Sequence, residues 1–192
     1  MIRILNCVAA FALLGVAACS GPTPEPPLAG ARIGGPFTLT DQDGKPRQES
    51  DFAGKWRIVY FGYTFCPDIC PTDMLKLGQA VKLLDQSDPR ISAKLATIFI
   101  SVDPERDTPA VLKEFVGQFH PRFTGLTGSL DAINKVAKDY AVAFRKEPAG
   151  TSYLIGHTQI AYLMDADGKP ITSLPLEKDA QAIADEVKSW VR

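Results

Sequence analysis

Cysteine, histidine and net charge are all scarce in this chain. Of 192 residues, four are cysteine and two are histidine, and 21 basic side chains face 22 acidic ones for a formal net charge of −1. A balance this even lacks the basic footprint that a phosphate backbone selects, which argues against nucleic acid as a partner. Two of the four cysteines, Cys7 and Cys19, fall in an N-terminal segment with the pattern of a processing signal. A multi-bridge disulfide scaffold is thereby excluded, and one pair, Cys66 and Cys70, is left for the folded domain. The apolar run over residues 4–18 is about 15 residues, short of the ~20 that cross a bilayer, so a permanent transmembrane helix is not expected there. No internal repeat is evident.

The N-terminus begins Met1-Ile2-Arg3, continues through that apolar run and exits at Cys19-Ser20-Gly21, the layout of an export signal. Val16-Ala17-Ala18-Cys19 resembles a bacterial lipobox, so residues 1–18 are expected to be removed and Cys19 to carry a lipid. The competing expectation is an ordinary cut near Val16-Ala17-Ala18 that leaves Cys19 free. Residues 19–34 are rich in proline and poor in anything to bury, which makes them a tether. Residues 35–192, roughly 160 in number, match one domain with a real core. Loss of residues 1–18 removes Arg3 alone among the charges, leaving 20 basic against 22 acidic side chains.

Hydrophobic periodicity alternates along this domain. A hairpin is predicted over 37–48, turning at Asp41-Gln42-Asp43-Gly44, because Asp-Gly tolerates the positive φ of tight turns. A buried strand is expected over 57–63 and a second, rich in β-branched residues, over 95–102. Met74, Leu77, Val81 and Leu84 repeat at helical spacing, predicting a helix over 71–84 with Pro71 in its first turn. Leu112, Phe115, Val116 and Phe119 mark a helix opened by Thr108-Pro109, and Ile133, Val136, Ala137 and Tyr140 one opened by Ser129. Strands over 160–164 and 171–174 flank the turn Asp165-Ala166-Asp167-Gly168. A last helix carries Ala180, Ile183, Ala184, Val187, Trp190 and Val191 on one face. This order predicts an α/β fold with a thioredoxin-like central mixed sheet flanked by helices, carrying an N-terminal β-hairpin extension.

The chemistry sits at the end of the first central strand, in Cys66-Pro67-Asp68-Ile69-Cys70-Pro71. Each cysteine precedes a proline, which disfavours the helical region, so 66–70 is expected as a shaped loop. With Pro71 as first helical residue, Cys70 would occupy the cap, where the helix dipole favours thiolate. Analogy with thioredoxin favours Cys66 as the attacking thiol instead, and the two arguments conflict. Three residues separate the cysteines where thioredoxin-type reductases have two. Disulfide sulfurs sit about 2.05 Å apart, whereas two thiolates sharing one metal sit roughly 4 Å apart. A loop serving both states must therefore breathe by about 2 Å, and oxidation would eject the metal.

Two thiolates leave a metal under-ligated, so a third donor matters. His120, between an apolar helix and Pro121, is expected to be structural or at the surface. His157 precedes the strand over 160–164, where it is either a solvated imidazole or a third ligand delivered from the end of the sheet. Two soft sulfurs and an imidazole suit copper, whose Cu(I) form accepts low coordination. A structural zinc site would demand a fourth ligand, and no other Cys or His is well placed for it.

Four motifs together resemble one family. Phe65 to Pro71, Ser101-Val102-Asp103-Pro104-Glu105-Arg106-Asp107-Thr108-Pro109, Phe119 to Gly128, and His157-Thr158 followed by Tyr162-Leu163-Met164-Asp165 are similar to the Sco/SenC copper chaperones of cytochrome c oxidase assembly. The resemblance covers the domain from about Gly35 onward. It implies a thioredoxin-like fold, one copper held by Cys66, Cys70 and His157, and delivery to the copper A site of oxidase subunit II. A second periplasmic copper chaperone enters as a further partner. One departure stands out: the family usually has Asp immediately before this histidine, and here the residue is Gly156. The change bears on copper affinity, redox tuning and docking, and it loosens the loop.

Asp103 carries two readings. It ends a strand ahead of a helix that Asp107 or Thr108 caps, or it acts near the metal in loading or transfer, as the resemblance implies. Two function classes follow for the whole domain, expected on the periplasmic side of a bacterial membrane. One is a metallochaperone; the other is a thiol-disulfide reductase whose Cys66/Cys70 pair keeps acceptor cysteines reduced in an oxidising compartment. A structural Cys66–Cys70 disulfide ranks below both, because so short a loop gains least from a crosslink. A thioredoxin-superfamily peroxidase ranks lower still, since Cys-x-x-x-Cys-Pro with His157 is not its pattern.

Overall fold

The computed structural model describes residues 24–191. The segment 1–18 expected to be a signal, with Cys7, and the lipidation candidate Cys19 lie outside these described residues. A seven-stranded mixed sheet forms the centre, in the order β2-β1-β5-β4-β3-β8-β9. Its strands are β1 (Thr38–Asp41), β2 (Pro46–Gln48), β3 (Trp56–Gly62), β4 (Leu95–Ser101), β5 (Phe123–Thr127), β8 (Ala161–Met164) and β9 (Pro170–Ser173). β6 (Phe144–Ala149) and β7 (Ser152–His157) make a separate hairpin. The helices are α1 (Ile69–Ser87), α2 (Pro89–Ala93), α3 (Pro109–Gly117), α4 (Leu130–Asp139) and α5 (Ala180–Trp190).

β3, β4 and β5 run parallel at the centre, and β8 turns back antiparallel against β3. Parallel strands covered on both faces must be apolar throughout, and Ile58, Val59, Tyr60 and Phe61 of β3 are all fully buried. The predicted N-terminal hairpin is present and joins the sheet through β1 against β5. Its turn places Gly44 at φ +75°, and the Asp41 carboxylate accepts from the Asp43 and Lys45 amides. α3 packs on β5, while α1 packs against α5. Thr108, Ser129 and Asp179 cap α3, α4 and α5, each side chain accepting an amide from the first turn.

Several elements differ from the sequence expectation. α1 starts at Ile69, two residues before the expected Pro71, which places Cys70 inside the first turn. Pro71 is tolerated so early in a helix, and its restriction on Cys70 yields to the packing of the α1 stripe, Met74, Leu77, Val81 and Leu84, all buried. β5 and the β6–β7 hairpin have no counterpart in the prediction. β6 alternates only weakly because it pairs with β7 alone and shows most of its length to solvent. Leu28, upstream of residue 35, donates its amide to Ile171 O at 3.0 Å and packs on the core. No helix among the described residues is long and apolar enough to cross a membrane.

Candidate metal and redox centre

Two elements far apart in sequence meet at the end of β3. The turn after β3 carries Cys66, the first turn of α1 carries Cys70, and His157 is the last residue of β7. Cys70 is fully buried and Cys66 half-buried, and both are unbonded thiols. Cys70 Sγ lies 3.3 Å from His157 Nε2. The Cys70 amide points at Cys66 Sγ from 3.4 Å, so the two cysteines stand against each other across one turn. Cys66 and His157 line one cavity of about 280 Å³, with Tyr63, Asp68, Glu147, Gly156 and Gln159 among its walls.

The tautomer of His157 follows from its neighbours. Nδ1 lies 3.1 Å from the Thr158 carbonyl oxygen, which can only accept, so Nδ1 carries the proton. Burial holds the imidazolium pKa below its usual value, against the opposing pull of the Thr158 carbonyl and the Asp73 charge. A neutral ring protonated at Nδ1 leaves a bare lone pair on Nε2, aimed at Cys70. Tyr60 and Tyr63 meet the ring nearly edge-on, with centroids 6.4 and 6.1 Å away, and fix its plane.

The thiols separate in acidity, and the cap argument for Cys70 is overturned. Burial pushes the Cys70 thiol pKa up, opposed by the Tyr63 amide but reinforced by the charge of Cys66. Burial also works against Cys66, yet the Cys70, Asp68 and Ile69 amides at the start of α1 outweigh it, and its pKa falls below the ordinary value. The helix N-terminus therefore favours thiolate, as expected, but at the cysteine four residues before Cys70. The first-turn amides point outward to Cys66, while Cys70 is turned into the core.

Gly62 makes room for that inward turn. A Cβ there would stand 3.0 Å from Cys70 Sγ, 2.9 Å from Tyr60 Cε1 and 3.1 Å from Phe99 Cε2. The Tyr60 hydroxyl donates to the buried Asp73 carboxylate at 3.0 Å, and Gln159 Nε2 donates to the same carboxylate at 2.8 Å. Tyr63 accepts the Ile155 amide at 3.2 Å and lines the same cavity as Cys66, tying the end of β3 to β7. Tyr60, Tyr63, Asp73 and Gln159 were not among the site residues expected from the sequence. A glycine inside an otherwise apolar strand run was the one local signal, since it marks a close approach.

The two readings of Asp103 and Asp107 resolve into distinct contacts. Thr108 caps α3, and the buried Asp107 accepts instead from the Thr64 amide at 3.0 Å, the Thr64 hydroxyl at 2.6 Å and the Ser101 hydroxyl at 2.5 Å. It anchors the turn leading into Cys66. Asp103 is fully buried and accepts from Arg106 Nε and from the Tyr153 hydroxyl at 2.8 Å. Its carboxylate is occupied by these two and is not among the residues lining the Cys66/His157 cavity. Arg106 in turn lies 3.8 Å from the Tyr153 ring centroid and 4.9 Å from that of Phe65, bridging the cysteine turn to the β6–β7 hairpin. His120 takes the structural role expected: it is buried, with Nε2 3.1 Å from Asp85.

Among the described residues, no group of three or more His, Cys, Asp and Glu side chains stands closed around a common metal position. Two sulfurs and the bare Nε2 are the donors able to take a soft ion here, two of them already in contact and the third on the same cavity wall.

The SCO1/SenC family model matches residues 25–192. Protein SCO1 homolog 1, mitochondrial, of Arabidopsis thaliana is 41% identical over 170 residues, covering 88% of this chain and 50% of the relative. This chain thus spans about half the length of that curated relative and of yeast SCO2. The structure of Bradyrhizobium japonicum ScoI with copper bound matches at TM-score 0.75 and 39% identity, over 82% of this chain and 99% of that one. BsSco matches at TM-score 0.65 and 30% identity, over 81% of this chain and 91% of that one. It is described as a member of the Sco family of cytochrome c oxidase assembly proteins with a disulfide switch. The family-model match, the curated relatives and the fold agree: this chain belongs to the SCO1/SenC family.

Proposed function

We propose that this protein is a copper metallochaperone for cytochrome c oxidase assembly, binding one copper through Cys66, Cys70 and His157 and delivering it to the copper A site of subunit II. The observation that carries the reading is the 3.3 Å approach of Cys70 Sγ to the unprotonated Nε2 of His157, with Cys66 on the wall of the same cavity. Copper is the cargo, and its presence in the Bradyrhizobium relative supports the assignment. Loading displaces the thiol protons and closes Cys66 onto the pair already in contact. Phe65, Ile69 and Leu154 are exposed near the cavity mouth and offer an apolar footing for an acceptor. A lipid on Cys19 and the Pro-rich tether would hold the domain at the periplasmic face of a bacterial membrane, within reach of a membrane-bound oxidase.

The test is copper stoichiometry and absorption on the reduced protein beside His157→Ala, followed by transfer to an apo copper A domain. The reading expects one copper per chain, a spectrum that depends on His157, and transfer to the acceptor. An unchanged spectrum in His157→Ala would remove the histidine from the site.

A second reading, thiol-disulfide reductase toward the acceptor's cysteines, draws on the lowered pKa of the half-exposed Cys66 beside a second thiol. The disulfide switch described for BsSco is consistent with it. Absence of competent copper binding, together with fast reduction of an acceptor disulfide, would make this reading the principal one.

A further inference from the structure

The cavity holding Cys66 and His157 carries one charged group from the β6–β7 hairpin, Glu147. Glu147 stands opposite Leu154, and Arg145 stands opposite Gly156. Directly opposed residues share a face, so Arg145, Glu147, Leu154 and Gly156 lie on the side of the hairpin away from His157. A side chain at 156 would separate Glu147 from the cavity, but glycine leaves that space open and the Glu147 carboxylate fills it. Its Oε1 stands 2.7 Å from where a Cβ on Gly156 would be. Arg145 Nε donates to the same oxygen at 2.9 Å and holds it there. A second, more open cavity is also lined by Glu147, Gly156 and His157, so the carboxylate borders both openings.

We propose that Glu147 is the copper entry residue of this chain, taking an aquated divalent copper ion at the cavity mouth and passing it to His157 and the thiols. The proposal rests on the copper reading above. Of the donors that would keep the ion, Cys70 is fully buried, whereas Glu147 is partly exposed, so an ion arriving from water can meet the carboxylate before it reaches Cys70. A carboxylate oxygen suits the hydrated divalent ion, whereas imidazole and thiolate hold it better once water is shed. The transfer is ligand exchange: the Glu147 oxygen leaves as His157 Nε2 and the sulfurs bind, the thiol protons pass to solvent and copper keeps its charge. Glu147 then returns to Arg145.

The experiment is stopped-flow absorption of the copper–thiolate band on the full chain, reduced and mixed with Cu(II), in wild type, Glu147→Gln, Glu147→Gln with Gly156→Asp, and Glu114→Gln. Glu114 is an exposed carboxylate on α3 and reports the effect of lost charge alone. Glu147→Gln should slow association about tenfold, within the range that a focused charge at a cleft mouth commands, and leave the final spectrum unchanged. The double variant, which brings a carboxylate to the rim from β7 and displaces only the flexible end of residue 147, should recover the wild-type rate. Glu114→Gln should match wild type. A wild-type rate in Glu147→Gln, equal slowing in Glu114→Gln, or no recovery in the double variant overturns the proposal. A wild-type chain that forms no copper band overturns the parent reading and this one with it.

Discussion

Gly62 and Cys70 are matched in space: a single added carbon on the glycine would reach to 3.0 Å from the cysteine sulfur. Gly62→Ala should therefore force Cys70 out of its recess and break its contact with His157. Overpacking at such a site costs about 1–3 kcal/mol. Chemical denaturation should show that loss, and the copper spectrum should shift even where the variant is fully folded. An unshifted spectrum would mean that Cys70 keeps its place without the glycine.

The thiols should differ in reactivity. A pKa below the ordinary value gives Cys66 more thiolate at neutral pH, and a raised one keeps Cys70 protonated as well as buried. Alkylation of the reduced, metal-free chain at pH 7, mapped by mass spectrometry, should label Cys66 first. Its rate should rise with pH to a plateau below that of an unstructured cysteine. Initial labelling at Cys70 contradicts the geometry. The stability linkage has opposite signs at the two sites. The lowered Cys66 pKa adds stability above its unfolded value that is lost as pH falls through the folded one. The raised Cys70 pKa adds stability at lower pH that is lost as pH rises through the folded value.

Arg106 ties the cysteine turn to the hairpin that carries His157, and its partner Asp103 has no access to solvent. Arg106→Ala leaves that carboxylate without its cation, and breaking a buried pair from one side costs about 3–5 kcal/mol. Adding Asp103→Asn should recover part of the loss, because the stranded charge is gone. The double-mutant cycle in urea checks this, and strict additivity would show that the two do not act as a pair.

Cys19→Ala should release the protein from the membrane fraction while leaving the copper spectrum of the domain intact. Fractionation that still finds the variant on the membrane would point to another anchor.

Much of the fold was legible locally. The stripes of α1, α3, α4 and α5 and the Asp-Gly hairpin turn follow from residues within one turn of helix or one pair of strands, and all are present. The β6–β7 hairpin was not legible: of β7 only Ile155 is buried, and β6 has no fully buried residue, so little periodicity marks either strand. Its absence from the prediction put His157 in a loop, when it is the end of a strand whose partner brings Glu147 to the cavity rim.

The sequence by itself determined that one pair of cysteines would sit at the mouth of a helix beside a central strand, and which histidine was structural. Spacing and neighbouring prolines are local facts, and a chain of 192 residues with two histidines leaves few alternatives. Only the tertiary structure decided which thiol is acidic, which ring nitrogen is bare, and that Asp107 rather than Asp103 anchors the cysteine turn. Those outcomes depend on burial and on hydrogen bonds between residues as far apart as Cys70 and His157, and no local pattern encodes the desolvation that sets them.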